Sequence, residues 1–266
     1  MLLVIILVGC GGGGGGGSTP TPDPTPNPTP SNPLYVYGGS WGGSGTGDGK
    51  FYQPYGIAID VNGKIYIVDQ NNYRIQQFNE FSTMLLKWGT QGSGYHQFNR
   101  PYGIAVDSSD QWNIRVYIAD TMNHRIQKYS VSVSYGATPI LETMWGSFGN
   151  GDGEFDCPID IALDSLGSVY VTDSNNNRIQ KFDSDGNFLE KWGTKGSGDG
   201  QFEKPNWIAT DSLGNVYITE GAPNNRVQKF SYLGSFVKKW GGSGSEDGQF
   251  SRPEDITVDS SNNICC

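Results

Sequence analysis

Histidine is almost absent. His96 and His124 are the only two in 266 residues, which excludes a metal centre built from several converging imidazoles. Cysteine is scarce as well. Of four, Cys10 follows an apolar leader, Cys265 and Cys266 end the chain, and Cys157 stands alone in the body, so neither a disulfide framework nor the His/Cys spacing of a zinc module is expected. Basic residues are outnumbered: 18 Lys and Arg against 27 Asp and Glu leave a net charge of -9. Such a surface repels a phosphate backbone, and nucleic acid is excluded as a partner. Charged residues make up only 17% of the chain, and no stretch repeats at the 3.6-residue period of a helix. There is no nucleophile elbow and no Gly-rich phosphate loop between a strand and a helix. Enzymatic activity is not the expectation, and no catalytic residue, metal or cofactor is assigned.

What is abundant points to β-structure. The chain holds 39 Gly and 14 Pro to make turns, and 14 Tyr, 12 Phe and 7 Trp to pack on pleated surfaces. It opens on an apolar run, Met1 to Val8, too short for the roughly 20 residues that span a bilayer but suited to a signal-peptide core. The run ends in Leu7-Val8-Gly9-Cys10, which resembles a bacterial lipobox. The resemblance implies a signal peptide over 1–9 and acylation of Cys10, whose several chains would hold a membrane stably. Gly11 is not the Asp that retains such proteins in the inner membrane, so the expected address is the bacterial cell envelope, outside the cytoplasm, with the outer membrane favoured in a Gram-negative cell. Poly-Gly and a Thr-Pro stretch fill 10–33; both are extended, unpacked chain and read as a tether. The folded domain is expected over 34–266.

That domain is a repeat. Trp-Gly recurs at Trp41, Trp88, Trp145, Trp192 and Trp240, at intervals of 47, 57, 47 and 48. Each is followed by Phe, then by Pro three residues later, then by an Ile-rich strand ending in Asp, as in Phe51, Pro54 and Asp60. The complete copies continue through a second strand such as Ile65-Tyr66-Ile67-Val68-Asp69, an Asn-x-Arg turn, and a third strand such as Arg74-Ile75-Gln76-Gln77-Phe78. Four short strands of period two in 47 residues make one propeller blade. The second copy carries ten extra residues, four between Asp107 and Asp120 and six between Ile126 and Trp145; both insertions are expected in connections, leaving the strands intact.

These motifs resemble the NHL repeat, with its Pro-x-Gly-Ile-Ala-Val-Asp, Val-Tyr-Val-Ala-Asp and Asn-x-Arg-Ile-Gln-x-Phe segments and closing Trp-Gly. The resemblance implies an all-β propeller of four-stranded blades, four complete and a fifth partial, from a full-length ring of six. Tyr35 to Trp41 is similar to the outermost strand of a blade completed from the other end, so the chain reads as a fragment. Relatives with the same fold include metal-dependent lyases of the peptidyl-hydroxyglycine and streptogramin type, the alternative reading of function here. RNA-binding relatives carry a basic surface and RING or B-box cysteines, which this chain lacks.

In a four-stranded meander the second-to-third loops and the blade-to-blade connections share a face, and the longer loops there are expected to carry function. Arg74, Arg125, Arg178 and Arg226 recur in every blade beside an acid and are expected to be structural. The residues after the motif proline vary: Tyr55-Gly56, Tyr102-Gly103, Ile159-Asp160, Asn206-Trp207 and Glu254-Asp255. With Tyr73 and His124 from the loops, Tyr55, Tyr102, Asn206 and Trp207 are the candidate ligand residues. Aromatic faces beside acids and amides suit a protein, peptide or glycan ligand. The Gly-Asp-Gly turns at Asp48, Asp152 and Asp199 lack the alternating carboxylates of a calcium loop and are expected to be plain turns.

Overall fold

A computed structural model of the chain describes residues 40–266 except 133, 135, 136 and 260; the leader, Cys10 and the linker lie outside the described residues. The fold is an all-β propeller of four complete blades. Each is a four-stranded antiparallel meander. The first runs Pro54–Ile59, Ile65–Asp69, Arg74–Phe78 and Met84–Trp88. The second runs Ile104–Asp107, Asn113–Asp120, Arg125–Ser132 and Ile140–Trp145. The third comprises Pro158–Leu163, Val169–Asp173, Arg178–Phe182 and Phe188–Trp192. The fourth comprises Pro205–Thr210, Val216–Glu220, Arg226–Phe230 and Phe236–Gly241. A two-stranded sheet, Thr257–Val258 with Ile264–Cys265, begins the next repeat. Among the described residues no helix is long and apolar enough to cross a membrane.

The apolar residues of the second and third strands are buried, because the later blades are covered by a neighbour on each side and the first by the second blade together with Trp41 and Phe51. One core joins Tyr66, Val68 and Ile75 of the first blade to Ile104, Val116 and Ile118 of the second. Equivalent cores follow at each later junction. The Trp-Gly tryptophans reach forward across these junctions. Trp145 packs on Phe182 of the third blade at 5.8 Å between ring centroids, and Trp192 on Phe230 of the fourth at 5.9 Å. Trp41 sits on Phe78 of the first blade in the same manner, at 4.4 Å.

The insertions of the second copy do not stay in the connections. They lengthen the strands: Asn113–Asp120 and Arg125–Ser132 each have eight residues where their counterparts have five. The added pairs, Asn113 with Ser132 through Arg115 with Ser130, alternate side chains as the rest of the hairpin does. Ile114 and Val131 are thereby buried in the core, so extending the hairpin shelters apolar residues that a loop would expose.

The arginines bind each blade to the turn that precedes it. Nε of Arg74, Arg125, Arg178 and Arg226 donates to a carboxylate oxygen of Asp69, Asp120, Asp173 and Glu220 at 2.7, 2.8, 2.7 and 2.6 Å. The guanidinium nitrogens then donate to turn carbonyls; in the third blade Arg178 reaches Asn150, Gly151 and Glu154 at 2.7 to 2.8 Å. The same acid collects an Asn amide and a Gln amide, as Asp173 does from Asn176 and Gln180. A buried carboxylate needs this many donors to remain tolerable. The Asp of each Gly-Asp-Gly turn faces outward and pairs with a Lys of the outermost strand: Asp48 with Lys87, Asp152 with Lys191, Asp199 with Lys239. These exposed pairs contribute little to stability.

Candidate functional site

The second-to-third loops and the blade-to-blade connections are joined by backbone hydrogen bonds on one face: Asn71 N–H to Tyr52 C=O, Met122 to Asn99, Asn175 to Asp156, each 3.0 to 3.1 Å. At this face the inner strands begin, and a cavity of about 810 Å³ opens at their mouth. Tyr55, Tyr102, Asn206 and Trp207 all line it, with Glu254 and Asp255 opposite Tyr55. The rings of Tyr55 and Tyr102 pack at 4.5 Å between centroids, tilted 44°. Burial, then the neighbouring Tyr102, and also Glu254 push the Tyr55 phenol upward, so it is a neutral donor at any ordinary pH. Two cations join the rim, Lys204 and Arg252. They immediately precede motif prolines and adopt left-handed φ of 51° and 58°. Sequence reasoning passed over them; the signal was their fixed place one residue before Pro, where every repeat bends the same way: Gln53, Arg100 and Cys157 have φ of 51°, 47° and 57°.

Below the mouth the channel is lined by the inner strands of all five repeats, with Ile57, Ile104, Ile161, Ile208 and Ile256 on its wall and Asp160 and Asp255 breaking the apolar surface. Asp160 is buried, and burial foremost drives its carboxyl up to about 8, with Asp255 adding to the rise; backbone donors from Ile208 and Ile161 hold it back. Its Oδ2 accepts the Ile208 N–H at 3.1 Å, tying the third blade to the fourth. Gly103 makes room for it: a Cβ there would meet Asp160 Oδ1 at 2.4 Å. Asp255 is likewise raised by burial.

Tyr73 and His124 do not line the cavity. Each closes a short 3-10 turn, Gln70–Asn72 or Thr121–Asn123, with a left-handed φ of 54°. What this loop position does is visible in the later blades. Asn177 Oδ1 accepts the Lys204 N–H at 3.0 Å, and Asn225 Oδ1 accepts the Arg252 N–H at 3.0 Å, latching one blade's loop to the next blade's entry. His124 Nδ1 takes the same role toward the Cys157 N–H, at 3.3 Å. Its ring stands on the edge of Phe148 at 4.9 Å, and Nδ1 lies 3.9 Å from Asp156 Oδ1. The ligating atoms of His124, Asp156 and Cys157 all fall within 4.8 Å of one another. Burial first, then Asp156, raises the Cys157 thiol above its usual range.

The NHL repeat family matches residues 51–78 and 155–182. Together with the blade architecture this makes the chain an NHL-repeat β-propeller. A stretch of 53 residues, 20% of this chain, is 51% identical to Protein lin-41 of Caenorhabditis elegans and spans 4% of that protein. Among solved structures, a streptogramin B lyase superposes with a TM-score of 0.55 at 14% identity, over 79% of this chain and 60% of that one. A nidogen/laminin complex gives a TM-score of 0.52 at 14% identity, over 78% and 68%. At these identities the likeness is one of fold.

Proposed function

We propose that the chain is a ligand-binding propeller, anchored in the bacterial cell envelope by acylated Cys10 at the cell surface or in the periplasm, that takes a protein, peptide or glycan at the channel mouth. The observation that carries this reading is the convergence of Tyr55, Tyr102 and Trp207 with Asn206, Glu254 and Asp255 around one cavity of about 810 Å³. Aromatic faces accept apolar sugar faces or cationic side chains, while amides and carboxylates orient what is bound. The variable residues of an otherwise uniform repeat are gathered there, as befits a specific pocket on a shared frame. The lipobox-like leader and the extended linker support the address, since a tether lifts a binding surface clear of a membrane. A chain of similar fold belongs to a nidogen/laminin complex, which supports protein as a ligand class. The lyase alternative draws less support: neither His96 nor His124 lines the channel or its mouth.

The test is a screen of the immobilised full chain against glycan and peptide arrays, repeated with Trp207→Ala and Tyr73→Ala. A true ligand loses at least ~10-fold in affinity with Trp207→Ala and is indifferent to Tyr73→Ala, which lies off the cavity. If every captured ligand is insensitive to Trp207, the mouth is not the binding site.

A further inference from the structure

The junction between the second and third blades departs from the later ones. There an Asn side chain accepts the backbone N–H of a cationic residue, Lys204 or Arg252, at 3.0 Å. Here His124 and Cys157 hold those two positions, and Asp156 stands beside them. An imidazole and a thiol thus replace an amide and a solvated cation, beside an acid whose position Glu203 holds in the next repeat. Neighbouring side chains in a strand point to opposite sides. Asp156 and Cys157 instead bring their ligating atoms within 4.8 Å of each other and of the His124 ring, at a point where the backbone turns left-handed, with φ 57° at Cys157.

We propose that His124, Asp156 and Cys157 form a site for one transition-metal cation of the Zn2+ class. The donor set selects the metal. Thiolate and imidazole favour Zn2+ and its neighbours over the hard cations Ca2+ and Mg2+, which demand oxygen. The geometry needs only a small contraction. Metal–sulfur and metal–nitrogen bonds of roughly 2.3 and 2.0 Å put tetrahedral donors about 3.5 Å apart, against a present span of up to 4.8 Å. Nδ1 has a single lone pair, so ligation exchanges its bond from the Cys157 N–H for the metal; at 3.3 Å that bond is longer than the 3.0 Å bonds made by asparagine. Phe148 already fixes the imidazole from its edge. Binding displaces the thiol proton to solvent and leaves a fourth position for water. It also staples the second blade's loop to the third blade's entry, so it stabilises the fold. The site rests on these residues alone and stands whether or not the channel mouth binds a ligand.

Co2+ titration of the full chain under reducing conditions, followed by its thiolate-to-cobalt absorption, tests the site. The expected result is one equivalent bound with a thiolate band, displaced by Zn2+, and a Tm that rises with metal. Cys157→Ser should abolish the band, and His124→Asn should weaken binding by at least ~10-fold. His124→Asn installs the residue found at Asn177 and Asn225, which preserves the latch, so its metal-free Tm should match that of the parent chain and separate lost ligation from lost folding. No thiolate band, or a band that survives Cys157→Ser and so belongs to another cysteine, overturns the proposal.

Discussion

Asp160 shows how a single side chain can be required by the frame and yet unfavourable in it. Its carboxyl titrates near 8 in the folded protein but near 4 in an unfolded chain. Between those values the folded state holds the extra proton, so raising the pH through that window removes stability, and below it the cost disappears. Asp160→Asn keeps an oxygen to accept the Ile208 N–H and cannot ionise. The substitution should therefore raise Tm by about 3 °C or more at pH 8 and leave it unchanged near pH 4, read by calorimetry across that range. An equal effect at both pH values would show that the Asp160 carboxyl titrates in the folded protein as it does in the unfolded chain. The position was visible in sequence only as one acid among varied neighbours. Its burial comes from Gly103 of the preceding blade, a contact between residues 57 positions apart that no local pattern announces.

At the scale of the strand and its turn, the Trp-Gly pair divides its labour. The tryptophan packs forward on the next blade, while the glycine lets the following Phe come in against the backbone. Gly193 has φ 103°, a conformation L side chains rarely adopt, and a Cβ there would meet the Phe202 ring at 2.5 Å and the Asn177 carbonyl at 3.0 Å. The same clash recurs at Gly89 with Phe98, Gly146 with Phe155 and Gly241 with Phe250. Gly193→Ala should destabilise the fold by about 2 kcal/mol or more, measured as a shift in denaturant midpoint without a change in slope. A loss below ~0.5 kcal/mol would mean that the turn relaxes freely. The Trp-Gly period was plain in the sequence, and so were the four strands of each blade. The extended hairpin of the second blade was not, because Ile114 and Val131 read as members of an insertion until the neighbouring blade is present to cover them.

Over the whole molecule, stability accumulates junction by junction, as in other repeat architectures. The middle strands Val169–Asp173 and Arg178–Phe182 lie between two covering blades and are almost wholly buried, whereas Thr257–Val258 and Ile264–Cys265 are short and partly exposed. Hydrogen exchange should be slowest in the former and fastest in the latter. Uniform protection across both would show a single cooperative unit in place of graded blades. The chain carries a net charge of -9, and against that acidic balance Lys204 and Arg252 stand at the mouth.

The periodic sequence alone determined the blade, its strand order, the shared loop face and the repeat family, because each copy restates the same two-residue alternation and the same turn chemistry. Tertiary structure decided which variable residues meet. Tyr55, Tyr102, Asn206 and Trp207 converge because every inner strand starts at the same rim, and Lys204 and Arg252 join them there. Tyr73 and His124 close their 3-10 turns away from it, and the loop-to-entry latch holds His124 there. His124, Asp156 and Cys157 come together only when two blades dock. Contacts within a blade follow from local spacing; contacts between blades depend on the angle at which rigid sheets pack, and that angle is a property of the assembled core.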